Sequence, residues 1–144
     1  MHENHDAETL HALVDYWADT KPDHIGYRFE GRETSFGAFR DQTVQLSRAL
    51  RAAGINPGDR IAWIGKNSDR YFTLLFGASR AGAVTVPIGW RLAPKEMAYI
   101  IEDSGAVALV ATPEFADLAK EVAADIPAIK RMMASEEGWA IDGP

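Results

Sequence analysis

Residues 60–111 read RIAWIGKNSDRYFTLLFGASRAGAVTVPIGWRLAPKEMAYIIEDSGAVALVA, and this stretch decides the fold. Short apolar runs at 60–64, 83–88 and 106–111 predict strands, and the longer segments between them have the apolar spacing of helices. Alternating strands and helices are typical of βαβ units with a parallel sheet and right-handed crossovers. The run at 83–88 is apolar almost throughout, so we expect a strand that is buried on both faces.

The segments on either side of this stretch complete the predicted fold. Ser35 is a suitable N-cap for a long helix that ends at Gly54. The helix after Ser68 carries apolar side chains on nearly every side, which predicts that it is largely buried. The fold class is therefore α/β: a small N-terminal β-hairpin followed by doubly wound βαβ units with a mainly parallel sheet. The predicted parts are a lead-in helix at 8–20, the hairpin at 25–34, the βαβ region at 36–133 and a loop-like tail at 134–144.

Composition narrows the class of protein. The chain has 144 residues, of which 47% are apolar and 25% charged, which suits one globular domain. A net charge of −6, with basic and acidic residues mixed, argues against a nucleic-acid partner or an anionic membrane surface. No apolar run approaches the length of a transmembrane segment, and the first six residues lack the pattern of a secretory signal. Because cysteine is absent, disulfides and thiolate chemistry are excluded, and we expect a soluble, cytoplasmic protein.

Short catalytic motifs fail on their spacing. Lys66 follows the first strand, but a Walker A loop would need Gly at position 60 and Ser or Thr at position 67, where Arg and Asn stand. No G-x-G-x-x-G occurs in the chain. Ser79 is part of a near match to G-x-S-x-G, yet it lies inside a predicted helix rather than at a strand-to-helix turn. We therefore interpret Lys66 as a solvated loop residue and Ser79 as a small packing residue.

The remaining clusters of titratable residues are also better explained as polar residues on the protein surface. His2 and His5 are three apart, whereas H-E-x-x-H places its histidines four apart. His11 and His24 have no companions at ligand spacing, so no metal site is predicted. Glu102-Asp103 occupies adjacent positions near a helix C-terminus, and adjacent helical residues do not face each other. Taken alone, the residues predict an α/β domain without a visible active site.

Longer runs carry a family resemblance. Residues 22–36 are similar to the opening hairpin of the AMP-forming acyl-CoA synthetases, the adenylate-forming superfamily, and residues 52–62 (AAGINPGDRIA) resemble its "LGV-PGDRVA" signature. Asn67-Ser68 with residues 80–88 resembles "NS…KAGAVVVPL", and residues 91–105 resemble "RLTPEELAYILEDSGA". The resemblance extends in order from about residue 10 to 115. Residues 89–92 look closest to the fatty-acyl-CoA ligase branch.

The resemblance implies a two-step ligase reaction. A carboxylic acid reacts with ATP and Mg²⁺ to give an acyl adenylate, and coenzyme A then displaces AMP to form a thioester. In CoA-forming members the loop that follows the strand ending in Ile88 borders the pantetheine tunnel, so the resemblance implies that Ile88, Gly89 and Trp90 lie near the thiol path. The family's phosphate loop, adenine-binding segment, ribose-binding Asp and C-terminal-domain Lys have no counterpart here, so no catalytic residue is carried over.

Two functions therefore stay open. The first is the N-terminal part of a fatty-acid–CoA ligase, inactive by itself and binding no ATP, Mg²⁺ or CoA alone, which would associate with the rest of its parent or form a homodimer. The second is a free-standing α/β binding or assembly module without the family's chemistry.

Overall fold

A five-stranded sheet with helices on both faces forms the body of the molecule, and a two-stranded hairpin forms a separate sheet. The computed structural model describes residues 7–135 and 138–142. Along the chain the elements are α1 (Leu10–Thr20), β1 (Ile25–Phe29), β2 (Arg32–Ser35), α2 (Phe36–Ala52), β3 (Arg60–Ile64), α3 (Asp69–Ala81), β4 (Val84–Ile88), α4 (Pro94–Ser104), β5 (Ala106–Ala111), α5 (Ala116–Ala124), β6 (Lys130–Ser135) and β7 (Gly138–Asp142). A 3-10 turn, Pro113–Phe115, precedes α5.

The strand order confirms the expected fold class. The large sheet runs β4-β3-β5-β6-β7, with parallel pairing from β4 to β6 and an antiparallel β7 at its end. The hairpin β1-β2 is antiparallel. Helices α2 and α3 pack on one face of the sheet and α4 and α5 on the other, which is the doubly wound arrangement.

The central strands divide their side chains between two cores. Ile61 and Trp63 of β3 pack with α2 and α3, whereas Ala62 and Ile64 pack with α4 and α5. Successive residues of a strand point to opposite faces, so a strand covered on both sides must be apolar at every position. This requirement explains why β3 and β5 read as continuous apolar runs in the sequence.

One burial prediction is wrong and another is confirmed. The strand expected to be buried on both faces, β4, lies at an edge of the sheet, and Val84 is 52% exposed. Helix α3 is largely buried, as expected, because Phe72, at 43%, is the single exposed residue between positions 69 and 81. The error at β4 arises because apolar composition does not reveal which neighbours a strand receives.

The loop-like tail expected at 134–144 is also corrected. Residues 134 and 135 complete β6, and Gly138–Asp142 returns beside it as β7. Gly138 adopts a φ of 132°, a region that glycine enters without steric cost, and this allows the chain to start the return strand. Residues 136–137 and 143–144 lie outside the described residues.

Long cationic side chains cap three helices at the amino-terminal edge of the sheet. The Lys130 ammonium donates to the carbonyl of Ala53 at the end of α2, at 2.5 Å. The guanidinium of Arg51 donates to a carbonyl in the last turn of α3, and that of Arg60 donates to the final carbonyl of α4. Cations at these positions satisfy unpaired carbonyls and oppose the negative end of the helix dipole. The caps join segments that lie far apart in the sequence.

Candidate functional site

The carboxyl ends of the parallel strands form the candidate site. Helix α3, which follows β3, lies on one face of the sheet, and α5, which follows β5, lies on the other. Since β3 and β5 are neighbours, their outgoing loops diverge and leave a crevice between them. In open α/β sheets such a switch point is where ligands bind.

A cavity of about 470 Å³ occupies this crevice. Arg32 of the hairpin and Asp69 of α3 both line the cavity. The Arg32 guanidinium donates two hydrogen bonds of 3.0 Å to the Asp69 carboxylate. The Ser68 hydroxyl accepts a hydrogen bond from the amide of Tyr71 and so caps α3, as its side-chain type predicts. The floor includes Thr112, at the end of β5. The hairpin is thus fixed to the loop that follows β3.

A second cavity, of about 250 Å³, lies beside the ends of β3 and β4. Ile88, Gly89 and Trp90, the three residues that the resemblance implied, all line it. On the opposite side are Trp63 and Tyr71, whose ring centroids are 5.5 Å apart. The structure therefore gathers the predicted residues around one space. The other lining residues are Gly65, Asn67 and Pro87.

Gly65 is required by the close approach of the loop to an indole ring. A Cβ atom at this position would lie 2.6 Å from a ring carbon of Trp63, well inside van der Waals contact. Trp63 is itself only 2% exposed, so it has little room to move away. The absence of a side chain at Gly65 therefore keeps the end of β3 against the cavity wall.

Trp90 is surrounded by positive charge. The ammonium of Lys66 lies 5.6 Å and the guanidinium of Arg91 lies 4.2 Å from its ring centroid, both within the range of cation–π attraction. The ring of Phe115 packs against it at 5.7 Å. The sequence interpretation of Lys66 as a solvated loop residue missed this contact. The only signal in the sequence was that Lys66 and Arg91 each stand two or three residues after the end of an apolar strand.

Ser79 of α3 and His11 of α1 are in contact, and neither residue lines the two cavities. Ser79 lies within α3, as predicted, and its hydroxyl is 3.1 Å from Nδ1 of His11. Burial and the neighbouring Arg80 guanidinium lower the pKa of His11, and Asp15 opposes them by raising it. No partner was predicted for His11, because Ser79 is 68 positions away in the sequence.

The other titratable candidates are Glu102, Asp103 and the two histidines near the N-terminus. His2 and His5 lie outside the described residues. Glu102 and Asp103 are exposed in the last turn of α4. Within residues 7–135 and 138–142, no group of three or more His, Asp or Glu side chains is arranged to hold a metal ion. The same part of the chain contains no helix with the length and apolarity needed to cross a bilayer.

Comparison with known proteins identifies the family. The model of the AMP-binding enzyme family matches residues 14–142. The chain belongs to this family. Among curated relatives of the chain, a fatty acid–[acyl-carrier-protein] ligase of Streptomyces coeruleorubidus is 34% identical over 120 residues, which cover 83% of the chain and 23% of that protein. A feruloyl-CoA synthase of an Amycolatopsis species is 36% identical over 127 residues, which cover 88% and 26%.

Solved structures of other proteins share the fold of the chain. A benzoate CoA ligase of Burkholderia xenovorans LB400 superposes with a TM-score of 0.82 at 19% identity, over 90% of the chain and 26% of the ligase. The N-terminal domain of FACL13 from Mycobacterium tuberculosis gives a TM-score of 0.81 at 23% identity, over 95% and 38%. The resemblance to acyl-CoA synthetases is confirmed. The chain spans about a quarter of the length of the curated relatives it matches.

Proposed function

We propose that this chain is the N-terminal part of an AMP-forming fatty-acid–CoA ligase that works in the cytoplasm on fatty or other carboxylic acids. The match to the AMP-binding family over residues 14–142 carries the proposal, and it is supported by relatives that are a ligase of fatty acids and an acyl-carrier protein and a feruloyl-CoA synthase. In the first step the carboxylate oxygen attacks the α-phosphorus of Mg²⁺-bound ATP, and pyrophosphate leaves. In the second step the thiol sulfur of CoA attacks the acyl carbonyl, and AMP leaves.

The whole enzyme containing this chain tests the proposal. We expect it to convert ATP, a fatty acid and CoA, with Mg²⁺, into AMP, pyrophosphate and acyl-CoA in equal amounts. Product identification by liquid chromatography distinguishes this outcome from cleavage to ADP and phosphate. Formation of ADP, or no acid-dependent consumption of ATP across aliphatic and aromatic acids, would contradict the proposal.

We also propose that the cavity beside β4 is part of the path of CoA. Ile88, Gly89 and Trp90 are among its lining residues, none of which carries a charge, and this suits the uncharged pantetheine chain. Lys66 and Arg91 lie over Trp90, and their two positive charges next to this space complement the phosphates of CoA. An uncharged lining for the thiol arm and two cations for the anionic end support the proposal.

Replacement of Trp90 should separate the two half-reactions. In the whole enzyme, Trp90→Ala removes both the cavity wall and the surface over which Lys66 and Arg91 lie, so we expect KM for CoA to rise about tenfold, the equivalent of about 1.4 kcal/mol. Formation of acyl adenylate, measured by ATP–pyrophosphate exchange without CoA, should stay close to wild type. Tyr99→Ala is the matched control, because Tyr99 is an aromatic residue that is 66% exposed on α4. Equal losses in both half-reactions would refute the assignment.

Association with further polypeptide is part of the same proposal. Only β3 pairs with β4 among the described strands, and Val84 on that edge is exposed. An unpaired strand edge readily accepts another strand. We expect the remainder of the parent enzyme or a second copy to cover this edge, and sedimentation of the chain as a monomer with and without the added remainder would argue against it.

A further inference from the structure

Helix α1 is fastened to its neighbours by a row of polar contacts. His11, Asp15 and Asp19 are spaced four residues apart and therefore lie along one side of the helix. His11 meets the Ser79 hydroxyl, and Asp15 forms hydrogen bonds of 2.6 and 3.0 Å with the guanidinium of Arg80, both on α3. The third contact joins Asp19 to α2. Two of the three contacts thus join α1 to α3. One is made by His11 of α1, and the other by Arg80 of α3.

The position of α1 shapes an apolar groove. The groove has a volume of about 220 Å³, and α1 supplies one wall through Leu13, Val14 and Trp17. The ring of Trp17 stacks on that of Phe36 at the start of α2, with centroids 5.7 Å apart. Aromatic residues of the hairpin, α2 and α3 form the other walls, so movement of α1 would open the groove. These residues are Tyr27, Phe39, Phe72 and Phe76.

The charges around His11 oppose its protonation. From α3 it faces Arg80, and from α1 itself it faces Asp15. Helix α2 turns its Arg40 toward Asp19, two turns further along α1, and its Thr43 hydroxyl accepts from Arg80 at 3.3 Å. The Asp15 carboxylate already accepts two hydrogen bonds from Arg80. A protonated His11 would therefore lie near the Arg80 cation without a carboxylate of its own to pair with.

We propose that α1 is a pH-sensitive strap over the aromatic groove, fastened at neutral pH and loosened when His11 is protonated. The Ser79 contact does not resist this change, because a hydroxyl accepts from a protonated imidazole as readily as it donates to a neutral one. The cost comes first from removing a charged imidazole from water and then from repulsion by Arg80. Loosening exposes Val14 and Trp17 and widens the groove.

The direction of the effect follows from linkage. The pKa of His11 in the docked helix is lower than in the undocked helix, so the undocked state binds more protons over the interval between the two values. Docking is therefore strongest above the ordinary histidine pKa. It weakens as the pH falls through the docked value, and below that value no further loss occurs.

Fluorine NMR of the full 144-residue chain with fluorinated tryptophan tests the strap. The Trp17 signal, assigned by a Trp17→Phe variant, reports whether its ring still stacks on Phe36. Between about pH 7.5 and about pH 5.5 we expect the undocked population to increase about threefold or more, with the midpoint below that of an ordinary histidine. The imidazole resonances of His11 should titrate with the same midpoint.

Two variants decide between His11 and its neighbour His24, which stacks on Phe36 at 6.1 Å and could also affect Trp17. His11→Asn should abolish the transition, and His24→Gln should retain it. A transition that survives in His11→Asn, or that disappears in His24→Gln, overturns the proposal. So does a wild-type chain in which His11 titrates while the Trp17 signal stays constant, an outcome that needs no variant to fold.

Discussion

The 144-residue chain alone is expected to release no pyrophosphate above background from ATP, Mg²⁺, CoA and a panel of carboxylic acids. A phosphate-transferring site needs backbone amides or cations aimed at the phosphates. The sequence contains no glycine-rich phosphate loop, and the ammonium of Lys66 lies over Trp90 instead. The cavities at the strand ends therefore supply walls and little of the chemistry. A coupled pyrophosphate assay measures the rate, which should fall by several orders of magnitude from that of the whole enzyme.

The whole enzyme, assayed at the same concentration of sites, is the positive control. Circular dichroism of the isolated chain should first establish that it is folded, so that inactivity is not a consequence of unfolding. Turnover by the isolated chain that scales with its concentration and disappears on heating would contradict the prediction. That result would not affect the family assignment, but it would show that the catalytic groups belong to this chain.

Gly77→Val is expected to destabilise the chain by about 1–3 kcal/mol, the usual cost of overpacking a core. Gly77 is the point at which α3 approaches α2. A Cβ atom there would lie 2.9 Å from Cδ2 and 3.2 Å from both Cβ and Cγ of Leu46. Leu46 is only 1% exposed, so it cannot swing into solvent. The small residues of this helix were predicted to allow close packing against the sheet, and at Gly77 the close neighbour is another helix.

Chemical denaturation measures this loss. The comparison is valid when the variant and the wild type have the same m-value, the slope of the free energy of unfolding against denaturant concentration. Gly89→Ala is the control, because its Cβ would meet Leu92 at an ordinary contact distance of 3.4 Å. We expect this control to change the free energy of unfolding by about 0.5 kcal/mol or less. Gly77→Ala should fall between the two, since alanine gains about 1 kcal/mol of helix propensity while it meets the same contact. Equal stability of Gly77→Val and wild type would show that α2 and α3 separate easily.

Much of the fold could be predicted because its signals are local. Continuous apolar runs, the Ser35 and Ser68 caps and the terminating glycines mark the strands and helices within a few residues of each boundary. The position of a strand at an edge is not signalled by its apolar residues. Val84–Ile88 is a mostly apolar run like β5, and the strand order shows that one of its sides lacks a partner. Phe72 of α3 packs on Tyr27 of the hairpin at 5.4 Å and is still 43% exposed.

The candidate site was predictable only where its residues are consecutive. Ile88, Gly89 and Trp90 follow one strand, and the structure gathers them at one cavity. Lys66 reaches the same place from another strand, and nothing in its sequence surroundings indicates Trp90 as its neighbour. Such contacts depend on which strands become adjacent, and strand order cannot be obtained from the spacing of apolar residues.

The three capped helix ends have a practical consequence for engineering. The caps from Lys130, Arg51 and Arg60 tie distant parts of the chain together at one edge of the sheet. At the opposite edge, the loop at 89–93 contributes no side chain to a helix C-terminus among the described contacts. Sequence libraries that randomise this loop should therefore retain foldable members at a higher frequency than libraries that randomise the capping residues.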